Sequence, residues 1–139
     1  MIIRQLGAGD DLFQAIELLF RFFAEEGFEA DRERIARHTK TLARLATCGL
    51  FVAEAQGRAI GVATVSLEFG IEYGWWAEMG DLYVVPDQRG RGVSRKLVDA
   101  YTALSGQREA SKVLTYIMAA FAVLFLGAVL FRLYNDQRR

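Results

Sequence analysis

The residues with the most chemistry in them form the run "YVVPDQRGRGVSRKLV", Tyr83 to Val98. Tyr83, Val84 and Val85 favour a strand, and Pro86 ends it. Arg89, Gly90, Arg91, Gly92, Val93 and Ser94 then make a basic, glycine-rich turn before a helical pattern. A strand, such a turn and a helix start together make an anion site. The first turn of a helix has backbone N–H groups without partners and carries the positive end of the dipole. Glycine accepts positive φ and lets the backbone approach a phosphate closely. Arg89 and Arg91 add charge, and two linked phosphates suit the cradle better than one. The chain has no G-x-x-x-x-G-K-[ST], and its glycines lack the G-x-G-x-x-G spacing, so a Walker loop and a dinucleotide fingerprint are both excluded.

Other chemistries have little to work with. Cys48 is the sole cysteine and His38 the sole histidine, so no intramolecular disulfide, no cysteine-rich metal site and no histidine-based triad is expected, and no metal is assigned. The formal net charge is zero, which removes the whole-chain electrostatic argument for nucleic acid. No apolar leader follows the N-terminus "MIIRQLGAGDD", so the expected location is cytoplasmic.

The elements that must position the turn can be read from periodicity. The 139 residues, 53% hydrophobic and 24% charged, suit one folded domain. Ile2–Leu6 reads as a strand, and Asp10 and Asp11 offer helix-capping carboxylates. Leu12, Ile16, Leu19, Phe20 and Phe23 recur at helical spacing, with Gly27 as the stop. A second helix is expected over Arg32–Ala46, with His38 on its polar side. Gln56-Gly57 reads as a hairpin turn. Gly70–Trp76 reads as a loop or strand end, Ala77–Val85 as a strand, and Gly92–Leu104 as a helix.

With this order in view, "GDLYVVPDQRGRGVSRKLVDA" resembles motif A, R/Q-x-x-G-x-G/A, of the GNAT N-acetyltransferase superfamily. Arg89-Gly90-Arg91-Gly92-Val93-Ser94 fits all but the last position, where Ser94 replaces Gly or Ala. The resemblance covers about residues 2–105. It implies an α/β fold with a mixed, mainly antiparallel sheet flanked by helices. It implies acetyl-CoA as cosubstrate, with the backbone N–H groups of Arg89–Ser94 on the pyrophosphate and the backbone of Tyr83–Val85 along the pantetheine arm. The acceptor is then a small-molecule primary amine, which must lose a proton to attack. Relatives with a glutamate base often carry it eleven positions before the first motif residue. That position is Glu78, and Asp81 is the second candidate. "FFAEEGF" together with the motif is similar to aminoglycoside acetyltransferases. Glu25, Glu26, Glu29, Glu68, Glu72 and Glu78 could line an acidic cleft for a polycation, with Trp75 and Trp76 stacking on a sugar or packing in the core.

The C-terminus departs from this pattern. Only 34 residues follow Ser105, whereas the strand, helix and two strands of the family ending need about 45–60. Residues 113–131 contain no charge and as a helix would span roughly 28 Å, close to a bilayer core. Lys112 and Arg132 bracket the run. The organisation read from this is an acetyltransferase-like domain over 1–106, a polar connector over 107–112, a hydrophobic helix over 113–131 and a basic tail over 132–139. The helix either crosses a membrane, anchoring the protein to its inner face, or closes the core; a truncated or recombined end is the third reading. Without a fifth strand the pantetheine site lacks a wall, which a homodimer could supply. Two functions follow: an acyl-CoA-dependent N-acetyltransferase, or an inactive CoA-binding or interaction module on a membrane anchor.

Overall fold

A computed structural model describes residues 1–72, 74–106 and Tyr134. Its elements run β1 (Ile2–Leu6), α1 (Phe13–Glu25), α2 (Arg32–Leu42), β2 (Cys48–Ala55), β3 (Arg58–Gly70), β4 (Gly74–Val84), a 3-10 turn (Pro86–Gln88) and α3 (Val93–Gly106). The strands form one antiparallel sheet in the order β1-β2-β3-β4.

Local chemistry accounts for most boundaries. Asp11 accepts a hydrogen bond from the N–H of Phe13 at 2.9 Å, so a carboxylate does satisfy the first turn of α1, from just outside the helix. Gly27, at φ 80°, ends the same helix, and the Phe28 N–H returns to the Phe23 carbonyl at 3.0 Å. Asp31 caps α2 by accepting from the Arg34 N–H at 3.1 Å. That helix stops at Leu42, short of the expected Ala46, because the N–H groups of Arg44 and Leu45 bond three residues back and close turns. Gln56 and Gly57 both adopt positive φ, which matches the twist of the β2–β3 hairpin. Gly74, Trp75 and Trp76, expected at a loop or strand end, belong to β4, where they pair with Gly70, Phe69 and Glu68.

Strand alternation sorts the layers. Gly61 lies beneath Val93 and Leu97 of α3. Its neighbour Val62 therefore faces the other side, together with its cross-strand partner Tyr83, which meets Phe22 and Glu25 of α1. So α1 and α2 cover one face of the sheet and α3 the other. Leu18 and Leu19 of α1, Leu50, Val52, Val62 and Val65 of the sheet, and Leu97 and Tyr101 of α3 are buried in the core between them. Among the described residues no helix is long and apolar enough to cross a membrane. The hydrophobic helix expected over 113–131 and its connector lie outside the described residues, as does the basic tail apart from Tyr134.

Candidate active site

The glycine-rich turn joins β4 to α3. Gly90 and Gly92 adopt φ of 77° and 78°, and a Cβ added at either would meet nothing within 4 Å. The conformation demands glycine, and the space beside it is open. Beyond it the N–H groups of Val93, Ser94 and Arg95 open α3 and have no acceptor within the helix. The Arg89 N–H is already used: it donates to the Pro86 carbonyl at 3.3 Å. Donors for an anion therefore come from the turn after Arg89 and from the first turn of α3.

The two arginines of the turn behave differently. Arg91 is exposed. The Arg89 guanidinium folds back instead: Nε donates to the Val84 carbonyl at 2.8 Å and Nη2 to Glu25 Oε2 at 3.2 Å. Glu25 Oε1 also accepts from the Tyr83 hydroxyl at 2.7 Å, and the guanidinium stands 5.5 Å from the Tyr83 ring centroid. The Tyr83 hydrogen bond and then the Arg89 charge hold the Glu25 carboxyl below its ordinary range, while burial and Glu25 push the Tyr83 hydroxyl up. The turn is tied on its other side by Arg58, which meets Asp87 at 3.3 Å.

Strand β4 is the edge of the described sheet. Val85 donates its N–H to Ile60 at 3.0 Å, and antiparallel pairing alternates. Tyr83 therefore also points its backbone at β3, whereas Leu82 and Val84 point theirs outward. Of Tyr83, Val84 and Val85, only Val84 presents backbone groups to the edge of the described sheet, and its carbonyl is taken by Arg89. Leu82 was not visible as a site residue from the sequence; its part depends on the register of β4 against β3, which the strand's residue types do not encode.

The two candidate bases come together through a bulge. Residues three apart on a regular strand lie on opposite faces. Here Thr64 pairs with Asp81 but Val65 pairs with Met79, leaving Gly80 as an extra residue. Ser66 then pairs with Glu78, so Glu78 and Asp81 share the face covered by α1 and α2. Asp81 is half-buried, and its Oδ2 accepts from the Thr64 hydroxyl at 2.6 Å. Glu78 is exposed. Asp81 and Thr64 line a cavity of about 210 Å³ that also touches His38 of α2. A neighbouring cavity of about 320 Å³, opening at Phe28 and Glu29, shares Phe23, Ile35 and His38 with it.

The acidic set divides. Glu25 is committed to Tyr83 and Arg89. Glu26 and Glu29 are exposed in the connection after α1. Glu68 pairs with Trp76 on the face of Glu78, while Glu72 sits in the β3–β4 turn. Trp75 meets Phe69 edge to face at 5.3 Å, and the Trp76 ring covers Gly70. Among the described residues no cluster of His, Cys, Asp and Glu could hold a metal ion.

The model of the Acetyltransferase (GNAT) family matches residues 11–122, and the chain belongs to that family. The match crosses the expected domain boundary at 106 and ends within the uncharged run. No curated protein matches the chain. Among solved structures, a probable acetyltransferase superposes with a TM-score of 0.72 at 18% identity, covering 79% of this chain and 75% of its own. An aminoglycoside acetyltransferase from an uncultured soil metagenomic sample, in complex with sisomicin, gives 0.65 at 22% identity, covering 88% and 85%. A predicted acetyltransferase with acetyl-CoA from Clostridium acetobutylicum gives 0.66 at 16% identity, covering 78% and 75%. At these identities the likeness establishes the fold.

The family's cosubstrate is acetyl-CoA. The positive-φ glycines, the open space beside them and the outward backbone of Leu82 and Val84 fit an extended arm joined to a diphosphate.

Proposed function

We propose that this acetyltransferase transfers an acetyl group to a primary amine of a polycationic small molecule, with an aminoglycoside as the leading candidate. Acetyl-CoA supplies the activated acetyl group. Gly90, Gly92 and the first turn of α3 would hold its diphosphate, and the outward backbone of Leu82 and Val84 its extended arm. An N–H on that edge would polarise the thioester carbonyl.

The bulge at Gly80 carries the acceptor side of the reading, because it brings Glu78 and Asp81 to one face. Asp81, fixed by Thr64 at the end of a cavity, suits an ammonium anchor. Glu78 has the solvent access that a proton acceptor needs to pass its proton on. Glu29 and Phe28, which line the outer cavity together with Arg34 and His38, offer a carboxylate and an aromatic ring to a further cationic group. The sisomicin complex of a neighbour with this fold supports an aminoglycoside. The family match into residues 113–122 supports reading the start of the uncharged run as part of the acetyltransferase domain rather than as a separate anchor.

Calorimetry with acetyl-CoA on the wild type and on Gly92→Asp tests the cosubstrate site, and thiol release with a panel of aminoglycosides, polyamines and peptide amines tests the acceptor. Micromolar binding that the variant loses, with turnover concentrated on the aminoglycosides, is the expected result. Binding with turnover only on peptide amines would overturn the polycation reading.

A further inference from the structure

Glu25 sits at the last turn of α1, 58 residues before Tyr83 and 64 before Arg89, yet it touches both. Its two oxygens are divided, Oε1 to the phenol at 2.7 Å and Oε2 to the guanidinium at 3.2 Å. The guanidinium in turn spends Nε on the Val84 carbonyl at 2.8 Å. Three elements thus meet at one carboxylate: the end of α1, the last residues of β4 and the entry to the glycine turn.

We propose that Glu25 is a positioning residue for acetyl-CoA: by holding the Arg89 guanidinium on the Val84 carbonyl, it fixes the glycine turn relative to the edge of β4. Two features make this matter. The arm and the diphosphate of one ligand must be met at once, by Leu82 and Val84 on the edge and by Gly90, Gly92 and α3 beyond it, so a shift between them weakens both contacts. A guanidinium without Glu25 would also be free to leave the carbonyl for the ligand's own phosphates, drawing the turn out of place. Glu25 neutralises that charge where it stands and leaves Arg91 as the turn's free cation. The Tyr83 hydroxyl first, and then Arg89, hold the Glu25 carboxyl below its ordinary range, which agrees with a carboxylate kept ionised for this contact.

The inference rests on acetyl-CoA as the ligand, and its test keeps the two separable. Acetyl-CoA binding is measured by calorimetry on wild type, Glu25→Ala and Glu25→Gln, beside KM for the amine and the melting temperature. Glu25→Ala should raise the acetyl-CoA Kd about tenfold, as expected for a lost charge-assisted contact, with the amine KM within about twofold. Glu25→Gln keeps one oxygen to accept from Arg89 and an amide N–H that can donate to the Tyr83 oxygen, but lacks the charge, and should leave the Kd about threefold above wild type. Where Glu25→Ala fails to fold, Tyr83→Phe removes one anchor at nearly constant volume and should raise the Kd about threefold. A wild type that binds and a Glu25→Ala variant that binds as tightly overturn the inference alone. A raised amine KM with an unchanged Kd also overturns it and makes Glu25 a substrate contact. A wild type that binds no acetyl-CoA overturns the cosubstrate reading beneath it.

Discussion

The Thr64 hydroxyl donates to Asp81 Oδ2 at 2.6 Å, directly beside the one-residue bulge of β4. The bulge residue is Gly80, and a Cβ there would stand 2.8 Å from Thr64 Oγ1. Glycine at 80 therefore permits the Thr64–Asp81 contact. Gly80→Ala should push the hydroxyl aside, cost about 1 kcal/mol in urea unfolding for the lost hydrogen bond, and raise the amine KM as Asp81 loosens. Thr64→Val at wild-type Gly80 should reproduce the rise in KM without the crowding.

The two carboxylates brought together by that bulge should fail in different ways. Glu78→Gln is expected to lower kcat about 10²–10⁴-fold, the range of a lost general base. Asp81→Asn should act mainly on the KM of the amine, as loss of an ammonium anchor does. Steady-state kinetics on both variants decides the assignment, and a Glu78→Gln enzyme with wild-type kcat would move the base elsewhere.

Acid should weaken the fold through three carboxyls held below their ordinary range. Glu25 is lowered by the Tyr83 hydroxyl and then Arg89, Asp31 by the Arg34 N–H it caps, and Asp87 by the Gln88 amide and then Arg58. Groups depressed in the folded state contribute stability above their unfolded values and lose it as pH falls through the folded ones. Melting temperature should thus be flat near about pH 6 and fall gradually toward about pH 2, since all three groups are exposed and screened. Asp31→Asn, which keeps a capping oxygen, should flatten part of that fall.

Tyr101 offers a stability test away from the site. It is fully buried on α3, and its hydroxyl has no hydrogen-bond partner among the described residues. Burial pushes that hydroxyl's pKa up. An unsatisfied buried hydroxyl is costly, so Tyr101→Phe should gain about 1 kcal/mol in denaturant unfolding. A loss of similar size would show that the hydroxyl is bonded after all.

Much of the scaffold was legible because its signals are local. The strand Ile2–Leu6, the Gln56-Gly57 turn, the Gly27 stop and the start of α3 after Gly92 each depend on a few adjacent residues. The glycine turn was legible for the same reason. What the sequence hid depends on pairing between distant segments. The Gly80 bulge, which puts Glu78 beside Asp81, exists only in the register against β3. The outward backbone of Leu82 follows from that register too. Arg89 read as charge for a phosphate, whereas its guanidinium is spent on Val84 and Glu25, a partner 64 residues earlier. Glu25 read as part of an acidic rim and is instead a tie between α1 and β4.

The end of α1 and the connection after it therefore carry both proposed roles within a few residues. Glu25 holds the Arg89 side chain beside the glycine turn, while Phe28 and Glu29 line the outer cavity proposed for the acceptor. Anyone redesigning this enzyme for a new amine would naturally recast that segment. The cavity lining can be exchanged, but a graft that carries away Glu25 would change donor affinity along with acceptor choice. A library spanning Glu26 to Ala30 with Glu25 held constant is the one that separates the two traits.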